Sequence, residues 1–182
     1  MNAGGELVIE PQFLEVGVFH NGWTKVRIND QWAPMDMLGR PLLKRLYRFV
    51  GNFEEQLARV QVVHAWGFID RRGNEVVAPR FEAAGDFSEG LAAIQIRKNS
   101  KCFVGFIDKF GNQVFKTKYQ SAEPLFHEGL CPVSQIVKTQ TLFGFINTKG
   151  EIQIPFKYSF ADRFSDGLAI VMIDKKYGYI DT

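Results

Sequence analysis

Trp66-Gly67-Phe68-Ile69-Asp70-Arg71-Arg72-Gly73-Asn74-Glu75-Val76-Val77-Ala78-Pro79-Arg80-Phe81 holds two apolar runs of strand length on either side of an Asp-x-x-Gly signal. Aspartate accepts hydrogen bonds from nearby backbone amides and glycine tolerates positive φ, so Asp70 to Gly73 predicts a hairpin turn. Leu91 to Ile96, after the Gly90 turn, reads as the first strand of the next unit, and Gly105 to Asp108 as its second.

The pattern recurs along the chain. Aligned on the turn glycine, Gly5, Gly39, Gly73, Gly111 and Gly150 are each followed by an aromatic at Phe13, Tyr47, Phe81, Tyr119 and Tyr158. A second aromatic follows each of these, at Phe19, Phe53, Phe87, Phe126 and Phe164. Linked offsets of this kind are the mark of an internal repeat. The period is 34 residues, stretched to 38 and 39 in the third and fourth spans. Three residues past each second aromatic comes a turn residue and a short apolar run, such as Gly90-Leu91-Ala92, Gly129-Leu130-Cys131 and Gly167-Leu168-Ala169.

The run W-G-F-I-D-x-x-G, then P-x-F, then F-S-E-G-L-A resembles the WG repeat found in tandem arrays in bacterial proteins, and the resemblance covers essentially the whole chain. Residues Trp66 to Leu91 match best. Trp32-Ala33-Pro34 departs from the motif, and Val104, Phe143 and Tyr177 replace the name-giving tryptophan. The resemblance implies a repeat module in a larger bacterial protein and carries over no catalytic residue.

Each copy is expected to be a three-stranded antiparallel meander. Its connector to the next copy, such as Glu82 to Gly90, is open to three readings: loop, short helical turn or fourth edge strand. Pro132 lies within a first strand, and proline is confined to edges, strand starts or bulges, so the first strand is read as an edge. The small residues Ala58, Ala92, Cys131 and Ala169 on that strand suit a crowded position. The chain opens on a third strand, residues 5–13, and ends on a first and second, 168–181. Residues 1–182 are thus expected to form one all-β domain of five circularly permuted units, a five-bladed propeller closed by its termini. An open β-solenoid is the alternative.

Composition agrees with this class. The 182 residues hold 17 Phe and 17 Gly, which favours strands and tight turns. A formal charge of +2 gives no ground to expect nucleic acid as a partner. No basic n-region precedes an apolar run, and no stretch of about 18 apolar residues occurs, so the expectation is a soluble chain without membrane insertion. Two cysteines are too few for a disulfide lattice and favour a reducing, cytoplasmic compartment.

No catalytic constellation emerges. Asp36, Asp70, Asp108 and Asp181 recur at one repeat position before a turn, which suits turn formation better than acid/base pairing. His20, His64 and His127 share no metal-ligand spacing. Cys131 replaces a recurring alanine and reads as packing, while Cys102 sits in a polar loop with no histidine nearby. No cofactor and no enzymatic activity are expected.

Individuality lies in departures from the repeat. The segments 96–102 and 136–141 are about four residues longer than their counterparts and are read as long loops on one rim. They place Arg97, Lys98, Lys101, Lys138 and Gln140 as candidate partner-binding residues. Trp23 stands where other copies have leucine, either a partner anchor or the filling of a larger gap. Arg40, Lys44, Arg45 and Arg48 form a basic run suited to an anionic partner or to a solvated strand face. The five connectors hold ten of the twenty acids, so they would make an acidic surface if they shared a face. A protein-interaction or scaffold module is the functional expectation. A lectin-like propeller with small-ligand or glycan sites between blades is the alternative.

Overall fold

The computed structural model describes residues 4–98, 101–116, 119 and 125–182, and not the side chains of residues 98, 101, 102 and 116. The described residues form sixteen strands and no helix. The contacts divide the chain into two compact units, Met1–Arg80 and Phe81–Thr182.

In the first unit, β1 (Trp23–Ile28) and β2 (Gln31–Asp36) pair antiparallel, followed by the four-stranded meander β3 (Phe49–Glu54), β4 (Leu57–Val62), β5 (Ala65–Asp70) and β6 (Glu75–Phe81). The second unit carries three sheets. The meander β7 (Ala83–Ser88), β8 (Leu91–Lys98), β9 (Lys101–Ile107), β10 (Gln113–Lys116) has four strands; β11 (Leu130–Val137), β12 (Gln140–Asn147), β13 (Ile152–Tyr158) and β14 (Phe160–Ser165), β15 (Leu168–Ile173), β16 (Lys176–Asp181) have three each.

Of the three readings open for the connector, the structure takes the strand: β3, β7 and β14 are connector strands. Each joins the next strand through two residues at positive φ, such as Glu89 (52°) with Gly90 (82°) and Asp166 (55°) with Gly167 (77°). Two positive-φ residues make the primed turn whose twist matches that of antiparallel strands.

In three copies the added strand corrects the expectation that the first strand is an edge. β4, β8 and β15 each lie between two partners. β11, which carries Pro132, is an outer strand of its sheet among the described residues, as that expectation had it. The residues at that proline's register, Arg59, Ala93 and Ile170, all fall where pairing with the connector strand slips, between Val50 and Phe53, Ala84 and Phe87, and Ala161 and Phe164. A residue opposite a bulge has no ladder bond to give, so proline costs nothing there.

The two long insertions are likewise longer ladders rather than longer loops. β11 and β12 pair without interruption to Val137↔Gln140, leaving a two-residue turn, and β8 and β9 pair to Lys98↔Lys101. Four added residues extend a hairpin by two pairs and keep every side chain on its original face, because the strand period is two.

Burial follows the repeat. The aromatic closing one copy enters the core of the next: Tyr47 packs with Val50, Phe53, Ala58, Val60 and Ile69. Tyr158 does the same with Ala161, Phe164, Ala169 and Val171, and Tyr119 with Phe126, Cys131 and Val133. Residues 5–13 were expected to be a strand and are irregular instead. Ile9 and Phe13 pack against Val26, Ala33 and Met35, as a third strand would, but the segment has no ladder. A strand needs a partner for its amides and carbonyls, and its own sequence cannot supply one.

Candidate functional site

The recurrent aspartates form turns. Asp70 Oδ1 accepts from the amides of Arg72 and Asn74, both at 2.8 Å, and Oδ2 accepts from Asn74 Nδ2 at 2.8 Å. Asp108 repeats this with Phe110 and Asn112, and Asp36 with Leu38 and Arg40. In the fourth copy the polarity is exchanged: Asn147 accepts from Lys149 and Glu151 and donates its Nδ2 to Glu151 Oε2 at 2.8 Å. Partial burial pushes the Asp70 and Asp108 carboxyls up, but the hydrogen bonds from Asn74 and Asn112 outweigh it and hold both below the ordinary value.

A depressed carboxyl favours the folded state above its unfolded pKa, and that contribution is lost as pH falls through the folded value. The melting temperature is therefore expected to hold through mildly acidic pH and to fall below the ordinary aspartate pKa of about 3.9. The double variant Asp70→Asn, Asp108→Asn should show a shallower acid fall in a series of thermal melts across pH. An unchanged acid slope would place the titrating groups elsewhere.

Connector acids are used between copies. Both carboxylate oxygens of Glu89 lie 3.0 Å from the Gly129 amide, and Glu128 Oε2 lies 3.0 Å from the Gly167 amide. Each belongs to the turn of one copy and receives the turn amide of the next. His20 meets Glu54 at 2.9 Å, and Arg27 pairs with Glu15. These acids bond within the molecule rather than forming a free acidic rim. The sequence signal for the pins was present as Glu89-Gly90, Glu128-Gly129 and Asp166-Gly167, but its partner lies a whole repeat away.

The expected site residues are placed separately. Arg97 forks onto Glu82, Nε at 2.5 Å and Nη2 at 3.0 Å. Lys98 and Lys101 close the β8–β9 hairpin, with their side chains outside the described residues. Lys138 (φ 58°) and Gln140 are exposed at the tip of the β11–β12 hairpin. Trp23 is half-buried, its ring 4.9 Å from that of Phe53, and fills a gap in the first unit's core. It also borders a recess of about 310 Å³ with Phe19, His20, Lys25 and Asn52. The basic run is largely engaged: Arg40 with Asp36, Lys44 with Asn74, and Arg45 with Glu75 at 2.6 Å. Cys131 is fully buried, and burial pushes its thiol far up, so it packs rather than reacts. The Cys102 side chain lies outside the described residues.

Sequence reasoning missed the feature with the largest contrast. Phe68, Phe106 and Phe145 occupy one register on the second strand of their copies and are each 0% exposed, whereas Tyr179 at that register is 71% exposed. Leu57, Leu91 and Leu130 are buried, and their counterpart Leu168 is 47% exposed. Among the described residues β16 pairs only with β15. The neighbouring glycine tells the same story. A Cβ on Gly67 would lie 2.4 Å from the Val77 carbonyl oxygen, and one on Gly144 2.6 Å from that of Ile154, while nothing lies within 4 Å of one on Gly178. In internal copies a third strand runs against that glycine. At β16 the place is open.

A family model described as WG containing repeat matches residues 1–32, 66–102, 105–135 and 143–177. No curated protein matches the chain.

Proposed function

The chain belongs to the WG-containing repeat family, and from that premise we propose that it is a non-enzymatic protein-interaction module whose contact surface is the open edge and face of β16. The exposure of Tyr179 at a register where three phenylalanines are buried carries the reading. An unpaired edge offers a row of amides and carbonyls to an extended segment, and the adjoining Leu168, Tyr177 and Tyr179 offer apolar contact.

Selection of a displayed library of random peptides on the purified protein tests the module. Extended peptides with alternating apolar residues are expected, and Tyr179→Arg should abolish their binding. Peptides that bind this variant as well as wild type would sink the reading. The second reading, a small-ligand or glycan site, is favoured by the recess beside Trp23. Calorimetric titration with simple sugars decides it: saturable binding lost in Trp23→Ala supports a ligand module.

A further inference from the structure

The first copy departs from the repeat where its third segment should lie against β2. Both ends of that segment are in place: Met35↔Pro41 and Trp32↔Tyr47 correspond to Ile146↔Ile152 and Phe143↔Tyr158 of the fourth copy. Between them the chain bows away. The residue four positions after the turn glycine is turned to a core in the other copies, as Ile9, Val77, Phe115 and Ile154, but Leu43 is 62% exposed, in a turn with Lys44. Leu42 takes its place, giving its amide to the Pro34 carbonyl at 2.8 Å, where Ile154 faces the equivalent Phe145. A slip of one residue turns the next side chain to the opposite face.

Ala33 is the cause. It stands where the repeat has Gly67 and Gly144, and a Cβ on either would lie within 2.6 Å of the carbonyl oxygen of Val77 or Ile154, the counterparts of Leu43. Ala33 carries that methyl and is fully buried, so the backbone at Leu43 has no room to come in.

The displaced turn joins a second one. Met37 and Leu38, 62% and 71% exposed, form the tip of the Asp36 turn, held by the Leu38 amide on Asp36 Oδ1 at 2.9 Å. Cations surround these aliphatic groups. Arg40 pairs with Asp36, yet its side chain is 71% exposed. Lys44 reaches Asn74 at 2.6 Å, which brings alongside the turn of the next copy and its exposed Arg72, a residue with no ion pair among the described residues. A single exposed leucine needs no explanation, whereas three exposed aliphatic side chains on two neighbouring turns, ringed by cations, mark a contact surface. Turn tips held by their own hydrogen bonds suit a soft partner: the aliphatic groups reach an acyl boundary while the cations meet headgroup phosphates.

We propose that Met37, Leu38 and Leu43, with Arg40, Lys44 and Arg72, dock the protein on an anionic lipid surface. The contact is peripheral, at headgroup depth. It uses none of the β16 residues, so its failure and that of the module reading are read in separate assays.

Sedimentation with sucrose-loaded vesicles tests the proposal. Wild type is expected to pellet with phosphatidylcholine vesicles that contain phosphatidylserine and to stay in solution with phosphatidylcholine alone, and added salt should release it. Leu38→Ser with Leu43→Ser should weaken binding about tenfold. Lys44→Ser with Arg72→Ser should weaken it roughly thirtyfold at low salt. All four side chains are exposed, so thermal melts of both double variants should match wild type and keep a loss of binding apart from a loss of fold. Wild type that does not pellet with phosphatidylserine, equal pelleting with both kinds of vesicle, or undiminished binding by the serine variant of the two leucines would each overturn the proposal. The last result would leave charge alone, as for a nucleic acid or another polyanion.

Discussion

Alanine in place of Phe145 is expected to lower the unfolding free energy by about 3–5 kcal/mol, whereas alanine in place of Tyr179 should change it by no more than about 0.5 kcal/mol. Phe145 is 0% exposed and packs edge-on against Phe164, ring centroids 5.1 Å apart, in a core completed by Leu130, Tyr158, Ala161, Ala169 and Val171. Its removal deletes a large apolar surface and leaves a cavity that strands on both sides cannot collapse to fill. Tyr179 holds the same register in the last copy but is 71% exposed, so truncation there opens no cavity. Chemical denaturation of the two variants at low protein concentration, where association is minimal, measures the difference. Equal losses would mean that Tyr179 is covered in solution.

The second contrast concerns backbone approach. Gly67→Ala is expected to destabilise by about 3 kcal/mol, at the upper end for overpacking, because the new methyl would lie 2.4 Å from the Val77 carbonyl oxygen and 2.7 Å from the Pro79 nitrogen. Neither obstacle is a side-chain tip that can swing away; β5 and β6 would have to part. Gly178→Ala introduces the same methyl at the same register with nothing within 4 Å, and should be neutral in the monomer. Thermal melts of both variants separate the outcomes. A severe melting penalty at Gly178 would mean that backbone lies against that glycine in solution.

The repeat and its turns were legible because they are local. Asp70 reaches amides two and four residues away, and Gly73 needs only its own freedom at φ 74°. The four-residue insertions were visible as length, but their form was not: a loop and a longer ladder have the same sequence length, and only the pairing Val137↔Gln140 distinguishes them. The connector strands stayed one reading among three because Ala83-Ala84-Gly85-Asp86-Phe87-Ser88 is poor in strand-forming residues and pairs across a bulge. Pro132 announced an edge, and β11 is an outer strand of its sheet among the described residues.

By itself the sequence determined the family, the all-β class and the turn that links the second and third strands of a repeat, since these depend on residues within a few positions of one another. Tertiary structure alone decided which copies of one motif are buried. Phe145 and Tyr179 share a register and an aromatic ring, and differ because a third strand flanks one and none flanks the other among the described residues. It likewise decided that residues 5–13, with the pattern of a strand, remain irregular, and that Glu89 and Glu128 serve as pins between copies rather than surface charge. A hydrogen-bond ladder and a buried face each need a second party, which a segment cannot specify from within.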